Sequence, residues 1–122
     1  MLEEKGLAYE LTELSPHADH PEFRACSPFG KIPGFADGDY RLSDSTAIIT
    51  YLEAQYPERP VLPAEPRARG RAVWLDEFTD TIFGASGLKI LFNRFVAPKL
   101  LKIPFSEERA LEGEAELPRS LD

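Results

Sequence analysis

The sequence predicts an α/β first half over residues 1–56 and an all-α second half over 67–122, joined by a proline-rich connector over 57–66. Three observations carry this reading. An Asp-Gly pair, the strongest short hairpin signal, sits between two runs able to form strands. Apolar residues from Arg67 to about Ala97 recur at helical spacing. Between these halves Pro57, Pro60, Pro63 and Pro66 interrupt any regular element.

The elements follow in order. Leu2-Glu3-Glu4-Lys5 are good helix formers, and Gly6 stands where a helix-ending glycine belongs. An isolated turn cannot offset its own nucleation cost, so the chain is expected to open on the end of a longer helix. Ala8 to Leu14 alternates apolar and polar residues, with Tyr9, Leu11 and Glu13 on one side, and predicts a strand near a sheet edge. Ser15 to Pro28 is irregular, with one helical turn predicted over residues 21–25. Ile32–Ala36 and Tyr40–Leu42 then flank Asp37-Gly38-Asp39 as a hairpin. Ser43 is the expected N-cap of a helix from Asp44 to Tyr56, whose apolar face is Ala47 or Ile48, Tyr51 or Leu52, and Gln55 or Tyr56. Pro57 stops it.

Pro66 suits the first position of the next helix. Along it Leu75, Phe78, Ile82, Ala85, Leu88, Phe92 and Phe95 recur with a helical period, and Trp74, Phe78, Ile82, Phe83, Phe92 and Phe95 are expected to be mostly core, with one or two of them facing an apolar substrate pocket between the domains. Gly84 and Gly87 predict a kink, and Pro98 and Pro104 end the pattern. Ser106-Glu107-Glu108 caps a last acidic helix carrying Ala110, Leu111, Leu117 and Leu121, with Pro118 inside it. Both ends of the chain are expected to be cut.

Composition removes several function classes. The 122 residues hold 14 Lys+Arg against 21 Asp+Glu, a net charge of −7, without the basic footprint that nucleic-acid binding needs. Arg67, Arg69 and Arg71 splay over different faces of a helix start and read as solvated. No apolar run is long enough to span a membrane, and the charged Met1–Lys5 stretch is no signal peptide, so a cytoplasmic protein is expected. One cysteine excludes a disulfide framework, and Cys26 with His17 and His20 leaves little for a zinc site, so no metal is expected.

The chemistry concentrates in Ser27-Pro28-Phe29-Gly30-Lys31-Ile32-Pro33-Gly34-Phe35 and Leu42-Ser43-Asp44-Ser45-Thr46-Ala47-Ile48. A proline at a strand start donates nothing to a ladder. With a cis Ile32–Pro33 bond, the Ile32 N–H and C=O turn outward, where an extended peptide can pair with them. Asp44 and Ser45 open a helix whose N–H groups and dipole favour an anion. Lys31 adds a second positive group. A small extended peptide with two carboxylates satisfies these groups together, and an amine on it suits Asp44.

These two stretches, at this separation, resemble the glutathione site of the cytosolic glutathione transferases. The resemblance runs from Leu2 through the long helix ending at Pro98. It implies a thioredoxin-like N-terminal domain followed by an all-α domain, both incomplete here. It also implies site roles. Ile32 would pair its backbone with the cysteinyl part of glutathione, and Pro33 would be the cis-proline. Asp44 and Ser45 would hold the γ-glutamyl amine and carboxylate, and Lys31 would reach a carboxylate. His17 or His20 falls near a further polar contact of some members. The family's activating Ser, Tyr or Cys lies on a first strand and helix that this sequence is expected to lack, so no catalytic residue is assigned.

The implied activity is conjugation of glutathione, as co-substrate, to a small electrophile by a protein that is a homodimer when complete, with no nucleic-acid or membrane partner. The alternative is a non-catalytic interaction module like the stringent starvation proteins, which associate with RNA polymerase. Those tend to lose the lysine or the acid–serine pair, and both are present here.

Overall fold

Leu2–Lys5 form the short helix α1, ended by Gly6 in the left-handed region at φ 69°. In this computed structural model, residues 1–14 and 20–120 are described; Ser15, Pro16, His17 and Leu121 lie outside them. The chain divides into two units, Met1–Arg69 and Gly70–Asp122.

In the first unit, α2 (Pro21–Cys26) begins on a proline at its first turn, as expected. Strands β1 (Gly34–Asp37) and β2 (Tyr40–Ser43) pair antiparallel, Phe35 opposite Leu42 and Asp37 opposite Tyr40. The two-residue turn is Gly38-Asp39, with Gly38 at φ 57°. Helix α3 (Ser45–Gln55) follows. Its cap is Asp44, one residue beyond the expected Ser43, because the Asp44 carboxylate is the group that accepts the Ala47 N–H at 3.0 Å. Ser43 instead pairs with Gly34 as the last residue of β2.

The predicted strand over residues 8–14 does not form. Alternation makes a strand only where a neighbouring ladder takes up its backbone groups. Among the described residues the sheet contains only β1 and β2. Tyr9 and Leu11 are left 49% and 75% exposed.

The unit is held mainly by α3. Ile48 and Leu52 are buried, and Tyr51 lies against the hairpin, stacked on Tyr40 at 4.7 Å and tilted against Phe35 at 5.9 Å. The Tyr51 and Tyr56 hydroxyls both donate to Asp37 Oδ2, at 2.9 and 2.5 Å. At the far end of α3, Glu53 forms a buried ion pair with Lys5 at 2.8 Å. Glu53 also accepts the Val61 and Leu62 N–H groups, while Lys5 donates to the Tyr56 and Arg59 carbonyls. The proline-rich connector is therefore tied down by its backbone rather than by an apolar face.

Helix α4 (Pro66–Glu77) starts where expected, its first N–H groups at Arg67 and Ala68 taken by the Glu65 carboxylate. The chain continues through a π-helical stretch, Phe78–Phe83, into α5 (Gly84–Leu91) and a second π-helical stretch, Phe92–Leu101. Pro98 does not end the helix as predicted. A proline removes an i→i−4 bond, and the wider π turn carries the backbone past it to Leu101. Gly84 marks the first π-to-α junction, where a Cβ would stand 2.8 Å from the Thr79 carbonyl oxygen.

Ser106 caps α6 (Glu107–Glu116) by accepting the Arg109 N–H, and residues 117–120 close in a 3₁₀ turn containing Pro118. The second unit packs α5 on α6 through small residues. Ser86, Ala97, Ala110 and Gly113 are buried there, as is Asn93, which accepts the Ser106 N–H and donates to the Lys89 carbonyl. Lys89 pairs with Glu116 at 2.7 Å, and Arg94 bridges Glu107 and Glu114. This corrects the expected core. Trp74, Ile82, Phe83, Phe92 and Phe95 are 37–53% exposed, because the helix seam is lined by small side chains and not by the large ones.

Candidate functional site

The site begins at the C-terminal end of α2. The fully buried Ser27 donates its N–H to the Phe23 carbonyl at 2.7 Å and accepts the Gly30 N–H at 3.0 Å. Gly30 takes φ 70°, the conformation that lets the chain turn back there. The Ser27 hydroxyl reaches the Lys31 carbonyl at 2.6 Å. Beyond it the Ile32–Pro33 bond is cis. Ile32 is 78% exposed, and Lys31 is exposed with it.

The second half of the site is the start of α3. Asp44 stands at φ 80°, ψ 126°, a conformation that costs a non-glycine residue about 1–3 kcal/mol and concentrates at functional positions. Its carboxylate caps the helix, and the next residue, Ser45, begins the positive end of the helix dipole. Pro33 and Ser45 are brought together on one open groove of about 520 Å³, whose apolar floor includes Leu2, Ile48, Ile49 and Leu52. Ile32 and Asp44 directly precede those two residues and Lys31 precedes Ile32, but none of the three lines the groove.

Tyr9 and Glu3 also line it, and neither was singled out as a site residue in the sequence. The Tyr9 hydroxyl donates to Glu3 at 3.1 Å, and that hydrogen bond to a carboxylate raises its pKa. The alternation of residues 8–14 points to a strand and gives Tyr9 no site signal of its own. His20 is the N-cap of α2 and does not line the groove, and His17 falls outside the described residues. Cys26 is a half-buried free thiol at the end of α2.

Among the described residues no group of three or more His, Cys, Asp or Glu is placed to hold a metal ion. No helix among them is long and apolar enough to cross a membrane. The arrangement suits a small polar ligand with an exposed backbone to pair at Ile32 and a carboxylate to meet the α3 N-terminus.

Comparison with known proteins gives a consistent picture. Residues 1–60 match the family model described as the glutathione S-transferase N-terminal domain. A glutathione S-transferase F10 of Arabidopsis thaliana is 33% identical over 127 residues, covering 99% of this chain and 58% of that protein. A stringent starvation protein A homolog of Haemophilus ducreyi is 35% identical over 72 residues, covering 59% of this chain and 34% of its own length. A crystal structure of a glutathione transferase family member from Pseudomonas fluorescens Pf-5, with bound glutathione, aligns with TM-score 0.66 and 30% identity. That alignment covers 98% of this chain and 59% of the other. The chain thus spans between about a third and three-fifths of the length of these proteins.

Proposed function

The chain belongs to the glutathione S-transferase family, its first half being the thioredoxin-like domain of that fold, and on that premise we propose that it binds glutathione for conjugation to a small electrophile. Glutathione is a short extended peptide with two carboxylates and an amine. The exposed Ile32 backbone pairs with its cysteinyl residue, and Pro33 sets the wall beside it. Ser45 and the α3 N-terminus hold the γ-glutamyl carboxylate, Asp44 holds the amine, and Lys31 reaches the other carboxylate. Each charge-assisted contact contributes about 1–3 kcal/mol.

The observation that carries this reading is the strained Asp44, followed at once by Ser45 on the groove that Pro33 also lines. An ordinary helix start needs no residue at φ 80°. A ligand-binding turn gives a reason for the strain. In the conjugation itself the glutathione thiol gives its proton to solvent water, the thiolate sulfur forms a bond to the electrophilic carbon, and the bond from that carbon to the leaving group breaks with its electron pair going to the leaving group. The residues named above bind and orient glutathione for that step. A homodimeric assembly is part of the same proposal, and sedimentation analysis reads it directly.

The similarity to a stringent starvation protein A homolog favours a second reading, a non-catalytic interaction module on the same fold. Retention on immobilised glutathione, with elution by free glutathione, separates the two. The transferase reading expects retention, and passage through the column supports the interaction module.

A further inference from the structure

Residues 28–34 are all exposed, Phe29 and Ile32 by 89% and 78%, so apolar packing does not hold the loop that carries Lys31, Ile32 and Pro33. Its order comes from its two ends. At one end the fully buried Ser27 makes three hydrogen bonds: to Phe23 by its N–H, from Gly30 to its carbonyl, and from its hydroxyl to the Lys31 carbonyl at 2.6 Å. At the other end Gly34 lies so close to α2 that a Cβ there would stand 3.0 Å from Phe23 and 3.1 Å from Cys26. The backbone between these anchors is what the proposed ligand pairs with. An orientation error there of even one ångström is felt strongly in binding and reaction.

We infer that Ser27 is a positioning residue for the glutathione site: its hydroxyl sets the plane of the Lys31–Ile32 peptide and so aims the Ile32 backbone at the ligand. The inference rests on the function proposed above. Ser27 itself does not touch the ligand. The bond joins two residues only four apart, so losing it acts first on the geometry of the loop between them. The bond therefore acts more on the shape of the loop than on the stability of the unit.

The test is calorimetric titration of glutathione into the full chain, with amide NMR of the free protein. Ser27→Ala removes the donor, and Ser27→Cys keeps a similar side-chain size but offers only a weak donor. Both are expected to weaken glutathione binding about tenfold and to move the Lys31 and Ile32 amide signals while those of α3 stay in place. Tyr56→Phe, which loses a hydroxyl bond elsewhere in the unit, is expected to leave the affinity unchanged. Undiminished binding in both Ser27 variants overturns the role of Ser27 alone. A wild-type chain that takes up no glutathione overturns the proposed function, and with it this role.

Discussion

Lys5 Nζ lies 2.8 Å from Glu53 Oε1, and the two side chains keep only 1% and 4% of their surface exposed. Four further hydrogen bonds complete the pair: Lys5 to the Tyr56 and Arg59 carbonyls, and the Val61 and Leu62 N–H groups to Glu53. Removing one partner leaves the other charge buried without its counterpart, which costs about 3–5 kcal/mol. Glu53→Gln is therefore expected to lower the denaturation midpoint of the chain sharply. Adding Lys5→Met to it should recover part of the loss. Chemical denaturation of the single and double variants measures this.

The same pair predicts an acid limb. The hydrogen bond from Lys5 leads in lowering the Glu53 pKa, helped by the Val61 and Leu62 N–H groups and opposed by burial, to about 2 from 4.5. A carboxyl whose pKa is depressed by folding adds stability above its unfolded value and loses it as pH falls through the folded one. Stability should decline between pH 4.5 and about 2, and the decline should be shallower in Glu53→Gln. Thermal midpoints across that range check the slope.

An alkaline limb follows from Tyr51. Burial, then the hydrogen bond to Asp37, then neighbouring charges push its pKa up to about 12 from 10. A group whose pKa is raised by folding gives its full contribution below the unfolded value and loses it as pH rises to the folded one. Stability should fall between pH 10 and about 12. Tyr51→Phe should flatten that fall, as followed by circular dichroism against pH.

Gly113→Ala sets two effects against each other. Alanine improves helix propensity by about 1 kcal/mol. Its Cβ would stand 2.7 Å from the Ser86 carbonyl oxygen, 2.9 Å from Ile90 and 3.0 Å from Lys89. The first of these is backbone and cannot turn aside, so overpacking of about 1–3 kcal/mol prevails. Net destabilisation is expected in chemical denaturation, whereas Gly87→Ala, which meets nothing within 4 Å, should stabilise.

Asp44→Asn separates charge from capping. Asparagine keeps an oxygen for the Ala47 N–H and tolerates a positive φ, so the thermal midpoint should barely move. The charge that holds the γ-glutamyl amine is gone, and glutathione affinity should drop by about 1–3 kcal/mol. Parallel thermal and binding titrations check both halves.

Local signals in the sequence were enough to place most of the fold. Gly6 after Lys5, Pro21, Gly38 in the hairpin turn, Pro66 and Ser106 each mark an element boundary by backbone chemistry that acts within a few residues. What depends on partners was not legible. Residues 8–14 alternate like a strand but find no ladder among the described residues. Leu88, Phe92 and Phe95 repeat like a core face, yet the seam between α5 and α6 runs through Ser86, Ala110 and Gly113. Helical spacing tells which residues share a face, not which face is covered. Of the site, Pro33 and Ser45 share a groove in the structure, while Ser27 stood in the motif without a role because its hydroxyl bond to Lys31 has no sequence signature.

The central claim is that residues 31–33 and 44–45 form one glutathione site. Calorimetric titration of glutathione into the full chain and into Ser45→Ala tests it most directly. The account predicts saturable one-to-one binding by the wild type, weakened by about 1–3 kcal/mol in the variant through the lost hydroxyl contact. Equal affinity in both proteins, or no saturable heat from the wild type, would contradict it.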